Sequence, residues 1–323
     1  MTLRIQMVSS AETASYDALA RTCGTVFHSP AWTALFGERL TRCGICGKNG
    51  DLLGGFHLYK TRLLGATAWQ NPPFTPQCGP FWVIKAKNPV AILEAKREML
   101  DALAGFLNGR AHALVSVSLD PGIQDALPFV WRKFKVVPGY TYVLDLSRSL
   151  EEIKNNMSSV RRNDIAKAQR DGLVARKVTD LAVVQELVHN TFARQHVHTR
   201  ERLLEAILFR FPNGNYSYSF ATYQGETPIA CCFIVHDARI AYYLLGGYRA
   251  EEKHHGAGAL ALLEAIAHAK ELGLAAFDFE GSMIPVVERH FRGFGGQLTP
   301  YFMINKAWLP LEMILKCVRR EWF

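Results

Sequence analysis

Residues 240–281 read IAYYLLGGYRAEEKHHGAGALALLEAIAHAKELGLAAFDFEG, and the order of their parts sets the fold of the whole chain. Residues 240–248, rich in Tyr and Leu, have strand composition, and Gly246 with Gly247 permits a bulge or the close approach of another backbone. A polar loop then delivers Gly256, Ala257 and Gly258 to the start of a long Ala- and Leu-rich helix expected over 258–273. A strand over 275–281 closes the unit. Unpaired N–H groups at the start of such a helix, with the positive end of its dipole, make a seat for a pyrophosphate. Lys253, His254 and His255 stand beside it. Glycines that serve only the geometry of a turn are the other reading, and Gly-x-Gly by itself does not separate the two.

Working outward, YSYSFATY (216–223) and PIACCFIVH (228–236) are strands joined to each other and to 240–248 by the short turns QGET and DAR. That spacing predicts an antiparallel meander. Helices are expected over 181–195, 200–211 and 285–293, and strands over 173–180 and 297–307. The first half repeats the order. Helices lie within 13–40, short strands with an Asn49-Gly50 hairpin signal within 43–84, and a helix over 89–107. A strand (112–120), a short helix and a further strand (125–147) follow. The fold class is therefore α/β, built from two similar domains, 1–148 and 149–323, each a mixed, mostly antiparallel sheet flanked by helices.

Composition bounds the function. The chain has 323 residues, 49% of them hydrophobic and 20% charged, as in a soluble globular protein with a sizeable core. No apolar run reaches the roughly 20 residues that span a bilayer, and MTLRIQMVSSAETASYD lacks the apolar stretch of a secretory leader. The cytoplasm is the expected compartment. Seven cysteines do not suggest a disulfide framework, and Cys43 and Cys46 lack the second pair that a zinc ribbon needs. His196 and His198 point to different faces of a helix, and with His189 they find no carboxylate or Cys to complete a set, so no metal is expected. A net charge of +8 favours anionic partners: nucleotides, phosphates, RNA or an acidic membrane surface.

One basic segment stands out. SSVRRNDIAKAQRDG (158–172) starts with cap residues Ser158 and Ser159, ends on Gly172, and carries Arg161, Arg162, Lys167 and Arg170. It is either a solvated helix with Ile165 and Ala168 packed inward or a surface that holds an anion.

The meander, the glycine loop opening a helix and the strand after it resemble the acyl-CoA-binding core of the GNAT acyltransferase superfamily. KHHGAG (253–258) resembles that family's pyrophosphate loop, with Lys253 where Gln or Arg is usual. VFHSPAWTALF (26–36), the stretch 149–180, TFAR (191–194) and FDFEGSMIPVVERHFRGFGGQLTPYF (277–302) together resemble the double-GNAT branch of Fem-type peptidyltransferases and related acetyltransferases. The resemblance implies two tandem GNAT-like domains, the second more complete. It also implies transfer of an acyl group, from acyl-CoA or an aminoacyl-tRNA, to a small-molecule or peptidyl amine. No tightly bound cofactor is implied; acyl-CoA is a co-substrate, and Gly256 and Gly258 favour it marginally over tRNA.

The site residues expected on this basis are these. Lys253 to Gly258 (with His254, His255, Gly256 and Ala257) bind the cofactor-like phosphates. Arg161, Arg162 and Lys167 hold a nucleotide-linked or tRNA substrate, while Trp32, Tyr243 and Leu245 line the substrate path. Backbone N–H groups at the bulge near Leu245–Gly247 would polarise the carbonyl. Glu280, at the end of the strand 275–281, is the general-base candidate, and Asp278 a structural acceptor. Phe291 stands where many GNAT enzymes place a Tyr acid, which leaves His290 as a substitute. A non-catalytic module that binds a nucleotide or a cell-envelope precursor is the alternative. In the C-terminal AWLPLEMILKCVRREWF, an apolar stripe of Trp308, Leu311, Ile314, Leu315, Val318 and Trp322 beside Lys316, Arg319 and Arg320 fits packing on its own domain or on a second copy, or a peripheral membrane contact. Nothing in the sequence points to an oligomeric state.

Overall fold

The computed structural model describes residues 3–63, 65–110, 112–194, 200–211, 214–249, 254–281, 283–320 and 323. The chain divides into two compact units, residues 1–139 with 300–323, and residues 140–299. The first holds β1 (Arg4–Met7), α1 (Thr13–Cys23), α2 (Pro30–Thr33), β2 (Leu40–Cys46), β3 (Leu52–Leu63), β4 (Ala66–Gln70), β5 (Phe81–Trp82), α3 (Pro89–Asn108), β6 (Leu114–Ser118) and α4 (Leu127–Trp131). β7 (Lys135–Asp145) leads into the second unit. There follow α5 (Leu150–Asn156), α6 (Ser159–Arg170), β8 (Val174–Lys177), α7 (Leu181–Arg194), α8 (Glu201–Phe209), β9 (Ser217–Gln224) and β10 (Thr227–His236). β11 (Ile240–Tyr248), α9 (Ala257–Glu271), β12 (Ala276–Asp278) and α10 (Pro285–Arg292) complete it. β13 (Gln297–Ala307) returns the chain to the first unit, where α11 (Leu309–Val318) follows.

The units part within β7, not near residue 148, and residues 300–323 belong with the first unit. The polar turn at 147–149 that suggests a boundary only separates β7 from α5. Leu144 and Leu146 before it share one core with Ile153 after it.

In the first unit the strands run in the order β1-β2-β3-β4-β6-β13, with β5 beside β3. β4 and β6 are parallel, and the other pairs of that unit with a resolved register are antiparallel. The Asn49-Gly50 turn joins β2 to β3, with Gly50 at φ +85°. Cys43 and Cys46 are buried β2 residues. Met99, Leu100, Leu103 and Leu107 of α3 pack with Phe56, Leu58, Val115 and Val117 of the sheet.

The second unit has the order β7-β12-β11-β10-β9-β8, with β11 and β12 parallel. β9, β10 and β11 form the expected antiparallel meander. β11 carries a bulge: Tyr243 pairs with Ile234 and Leu245 with Phe233, so Leu244 is the extra residue. α9 packs against β9 and β10 and buries Leu260, Leu262, Leu263 and Ile266. At about 1.5–3 kcal/mol per large apolar side chain, these four contribute roughly 6–12 kcal/mol of gross stabilisation. Ala257, Ala259, Ala261 and Ala265 are fully buried, and α6 approaches α9 most closely at Gly256.

α11 does not present one stripe to one partner. Leu311 is buried with Ala68, Leu114 and Ala307, and Leu315 packs beside them, whereas Trp308, Leu309, Met313, Ile314 and Val318 are exposed. Trp322 lies outside the described residues. No described helix is long and apolar enough to cross a membrane.

Candidate functional site

In the second unit, α6, the end of β11, the start of α9 and α10 surround a cavity of ≈ 930 Å³. Its walls carry Ser158, Val160, Arg161, Asp164, Arg194, Tyr248, His254, His255, Val286, Arg289, His290, Arg292 and Gly293. Four guanidinium groups face one carboxylate there, so the cavity attracts anions.

Arg161 is central to it. Ser158 caps α6 by accepting from the Arg161 N–H at 3.2 Å, which sets the phase of the helix. Arg161, Ile165 and Ala168 are then the buried residues of α6, at i, i+4 and i+7. The guanidinium pairs with Asp164 at 3.2 Å, donates to the His290 carbonyl at 3.4 Å and lies 5.2 Å from the centre of the Phe294 ring. The side chain is 9% exposed, and its Nε is buried without a hydrogen-bond partner among the described residues. Burial lowers its pKa from the ordinary value while Asp164 opposes the shift, and a guanidinium stays charged throughout. A charged guanidinium in the wall of a cavity favours an anionic oxygen there.

His290 faces the same space. Burial, and then the Arg161 charge, pull its pKa down to about 4. The ring is therefore neutral near pH 7, able to donate one hydrogen bond and accept another, and unable to act as an acid. Phe291 is a core ring, packed 5.3 Å from Tyr243 and 5.6 Å from Phe279.

The start of α9 differs from the open anion seat expected of it. The Gly256 N–H donates to His254 Nδ1 at 3.1 Å, the Ala257 N–H to the His254 carbonyl at 3.0 Å, and the Gly258 N–H to the Tyr248 hydroxyl at 2.8 Å. With Nδ1 accepting, His254 carries its proton on Nε2 and donates it to Asp171 at 3.0 Å. The glycines serve packing. A Cβ on Gly256 would lie 2.0 Å from the Asp164 carbonyl oxygen of α6, and one on Gly258 would lie 2.1 Å from the Tyr248 hydroxyl. As arranged, these three amides are already engaged and do not form an open seat for a pyrophosphate.

The remaining expected residues fall elsewhere. Lys253 lies outside the described residues, as do His196 and His198. Arg162 donates to the carbonyls of Asn155 and Met157, both at 2.8 Å, and so caps the end of α5. Lys167 pairs with Asp171 at the exposed end of α6. Leu245 is a buried strand residue, and the Tyr243 hydroxyl rests on the Gly246 backbone. Trp32, in the first unit, has no exposed surface; its ring N–H donates to Thr75 Oγ1 at 3.0 Å between Phe27 and Phe36. It packs the core instead of lining a substrate path.

Glu280 departs from the strand alternation that nominated it. β12 ends at Asp278, and Glu280 sits at φ +60°, followed by Gly281 at φ +65°. Asp278 forces this turn: its Oδ1 accepts from the Thr141 hydroxyl and from the Glu280 N–H at 2.8 Å. The Glu280 carboxylate oxygens are buried, and Glu280 is not among the residues that line the cavity.

Tyr248, Asp164, Arg194 and Arg289 are cavity residues that the sequence reading passed over. The i, i+4, i+7 spacing of Arg161 with two apolar residues carried a signal for Arg161 facing inward, and Asp164 follows from it as the neighbour one turn on.

Residues 154–288 match the family model for the acetyltransferase (GNAT) domain. No curated protein matches the chain. Among solved structures, FemX superposes with a TM-score of 0.66 at 13% identity, covering 97% of this chain and 100% of that one. L-PGS from Bacillus licheniformis gives 0.56 at 12% identity, over 98% of each chain. A tandem GNAT protein from the clavulanic acid biosynthesis pathway gives 0.52 at 13%, over 95% of this chain and 98% of that one. At these identities the likeness is one of fold. Residues 154–288 thus match the GNAT domain family, in a chain whose fold is that of the tandem GNAT and Fem-like structures.

Proposed function

We propose that this protein is an acyltransferase that moves an acyl or aminoacyl group from an activated anionic donor to an amine and forms an amide. The observation that carries the reading is the buried Arg161 guanidinium in the cavity of the matched domain, with its Nε unpartnered among the described residues and three further arginines around it. Acyl-CoA carries a pyrophosphate at the far end of its pantetheine arm and aminoacyl-tRNA a phosphodiester beside its terminal ribose, and Arg161 with Arg194, Arg289 and Arg292 would hold such phosphates. The matched GNAT domain supports acyl transfer. The acceptor is a small-molecule or peptidyl amine.

In the reaction the amine nitrogen attacks the carbonyl carbon, the C–N bond forms, and the C–S or C–O bond to the donor breaks. The amine gives up a proton and the leaving group takes one. That proton passes to solvent in the cavity, because the Glu280 carboxylate is buried and off the cavity wall. His290, neutral at pH 7, supplies a hydrogen bond to the reacting groups, and the leaving group takes its proton from solvent.

Isothermal titration of the full chain with acetyl-CoA, with CoA as comparison, and then with an aminoacyl-tRNA tests this. We expect one donor class to bind, and Arg161→Gln to weaken it by about tenfold or more, since a hydrogen bond to a charged group is worth about 1.5–3 kcal/mol. If neither donor binds, the reading falls. The exposed apolar residues of α11, with Lys316 and Arg319 beside them, also support a proposed peripheral contact with an anionic membrane surface.

A further inference from the structure

The acyl-transfer site lies in the second unit, but the first unit has a cluster of side chains that it does not use. His28 precedes α2, His57 lies in β3 and Cys78 in the segment between β4 and β5, and each is at most 2% exposed. One nitrogen or sulfur atom from each lies within 4.8 Å of the others.

His57 is the informative member. Its ring packs among Tyr16, His28 and Phe81, at 5.8, 5.2 and 6.4 Å between ring centres. Both of its ring nitrogens are buried with no hydrogen-bond partner among the described residues. A neutral imidazole carries one N–H and one lone pair, so this ring leaves both stranded in the core, where polar groups almost always find partners. The Cys78 sulfur lies 3.6 Å from the His57 carbonyl. His28 accepts from the Thr25 N–H at 3.1 Å on Nδ1 and faces the Gly79 carbonyl at 2.8 Å with Nε2. A metal exchanges one of these bonds and keeps the other, which then orients the ring as outer hydrogen bonds do in metal sites.

We propose that His28, His57 and Cys78 bind a thiophilic transition-metal ion, zinc being the one that two imidazoles and a thiolate suit best. On binding, the Cys78 thiol gives its proton to solvent and its sulfur bonds to the ion; no electron is transferred. Zinc with one thiolate leaves a single positive charge in the core. The Asp120 carboxylate lies against Gly79, next to Cys78, where a Cβ on Gly79 would be 2.4 Å from its Oδ2, and it balances that charge. The site is structural: it ties the segment before α2 and the segment after β4 to β3.

The test uses the full chain as purified. Elemental analysis should find about one zinc per chain, and the metal-stripped protein should take up about one equivalent of cobalt(II) with a thiolate-to-cobalt absorption band. Cys78→Ser and His57→Phe, the second keeping an aromatic ring in the cluster, should abolish the band and weaken zinc at least tenfold. A native chain with neither retained metal nor a cobalt band overturns the proposal, even if the variants fail to fold. A band that survives in both folded variants overturns it too, because the metal then sits on another cysteine, such as exposed Cys317.

Discussion

Gly256→Ala is the sharpest probe of the second unit. Gly256 has φ −87°, an ordinary value for alanine, so backbone strain does not enter. Space does: the new Cβ would lie 2.0 Å from the Asp164 carbonyl oxygen, 2.8 Å from its carbonyl carbon and 2.9 Å from the Ala168 Cβ. Two of these are backbone atoms of a helix, which cannot swing aside as a side chain can. α6 must retreat from α9 by about 1 Å. Overpacking of this kind costs about 1–3 kcal/mol, and a rigid backbone obstacle places this case near the top. Alanine regains about 0.4–1 kcal/mol by restricting the unfolded chain, which leaves a net loss of roughly 2–3 kcal/mol. For a unit of this size that is a Tm lower by about 5–10 °C. Scanning calorimetry or fluorimetry reads it directly. Gly258→Ala is the control, because its Cβ meets the end of the Tyr248 side chain, and its loss should be smaller. A Gly256→Ala protein as stable as the native chain would refute the close α6–α9 contact. The retreat of α6 would also displace Arg161, so lost donor binding in this variant reports on packing and not on a phosphate held by the loop.

Four other outcomes follow from the structure. Tyr248→Phe removes the acceptor of the Gly258 N–H and should lower Tm by about 2–4 °C, the shift for about 1 kcal/mol; an unchanged Tm would show that the hydroxyl does not cap α9. Glu280→Gly should be more stable than Glu280→Ala because only glycine is at ease at φ +60°; equal Tm values for the two would contradict the left-handed backbone at this position. His290 titrates near pH 4 when folded against 6.5 in its ordinary state, so the unfolded chain binds its proton first: the stability that its neutral form contributes is full above pH 6.5 and is lost as pH falls toward 4. His290→Gln should flatten the fall in Tm across that window, and an NMR titration placing His290 near 6.5 would contradict the burial argument. Finally, Leu309→Glu with Ile314→Glu, both on the exposed side of α11, should abolish cosedimentation with anionic vesicles without lowering Tm; native protein that stays in the supernatant would end the membrane proposal.

The element order was legible because it rests on local signals. The α9 run from Ala257 to Glu271, the three strands separated by QGET and DAR, and the Asn49-Gly50 turn each follow from propensity, periodicity or turn chemistry within a few residues. So was the fold class, since a meander, a helix and a parallel strand pack in few ways. The site was legible only in outline. Arg161, His254, His255 and His290 do meet at one cavity, but what each can do depends on partners from distant positions. Gly258 N–H is satisfied by a hydroxyl ten residues away on β11, and Glu280 leaves the strand because Asp278 turns its amide inward.

Trp32 shows the same limit from the other side: burial against Phe27 and Phe36, which no periodicity of that short helix announces, makes it core. The His28, His57 and Cys78 cluster is the extreme case, since segments 21 to 29 residues apart meet only once β3 is in place. The sequence by itself determined which elements form, because hydrogen-bond periodicity and turn geometry act over a few residues. Tertiary structure alone decided which polar groups remain available, because a donor or acceptor is used up by whatever packing brings within 3 Å of it.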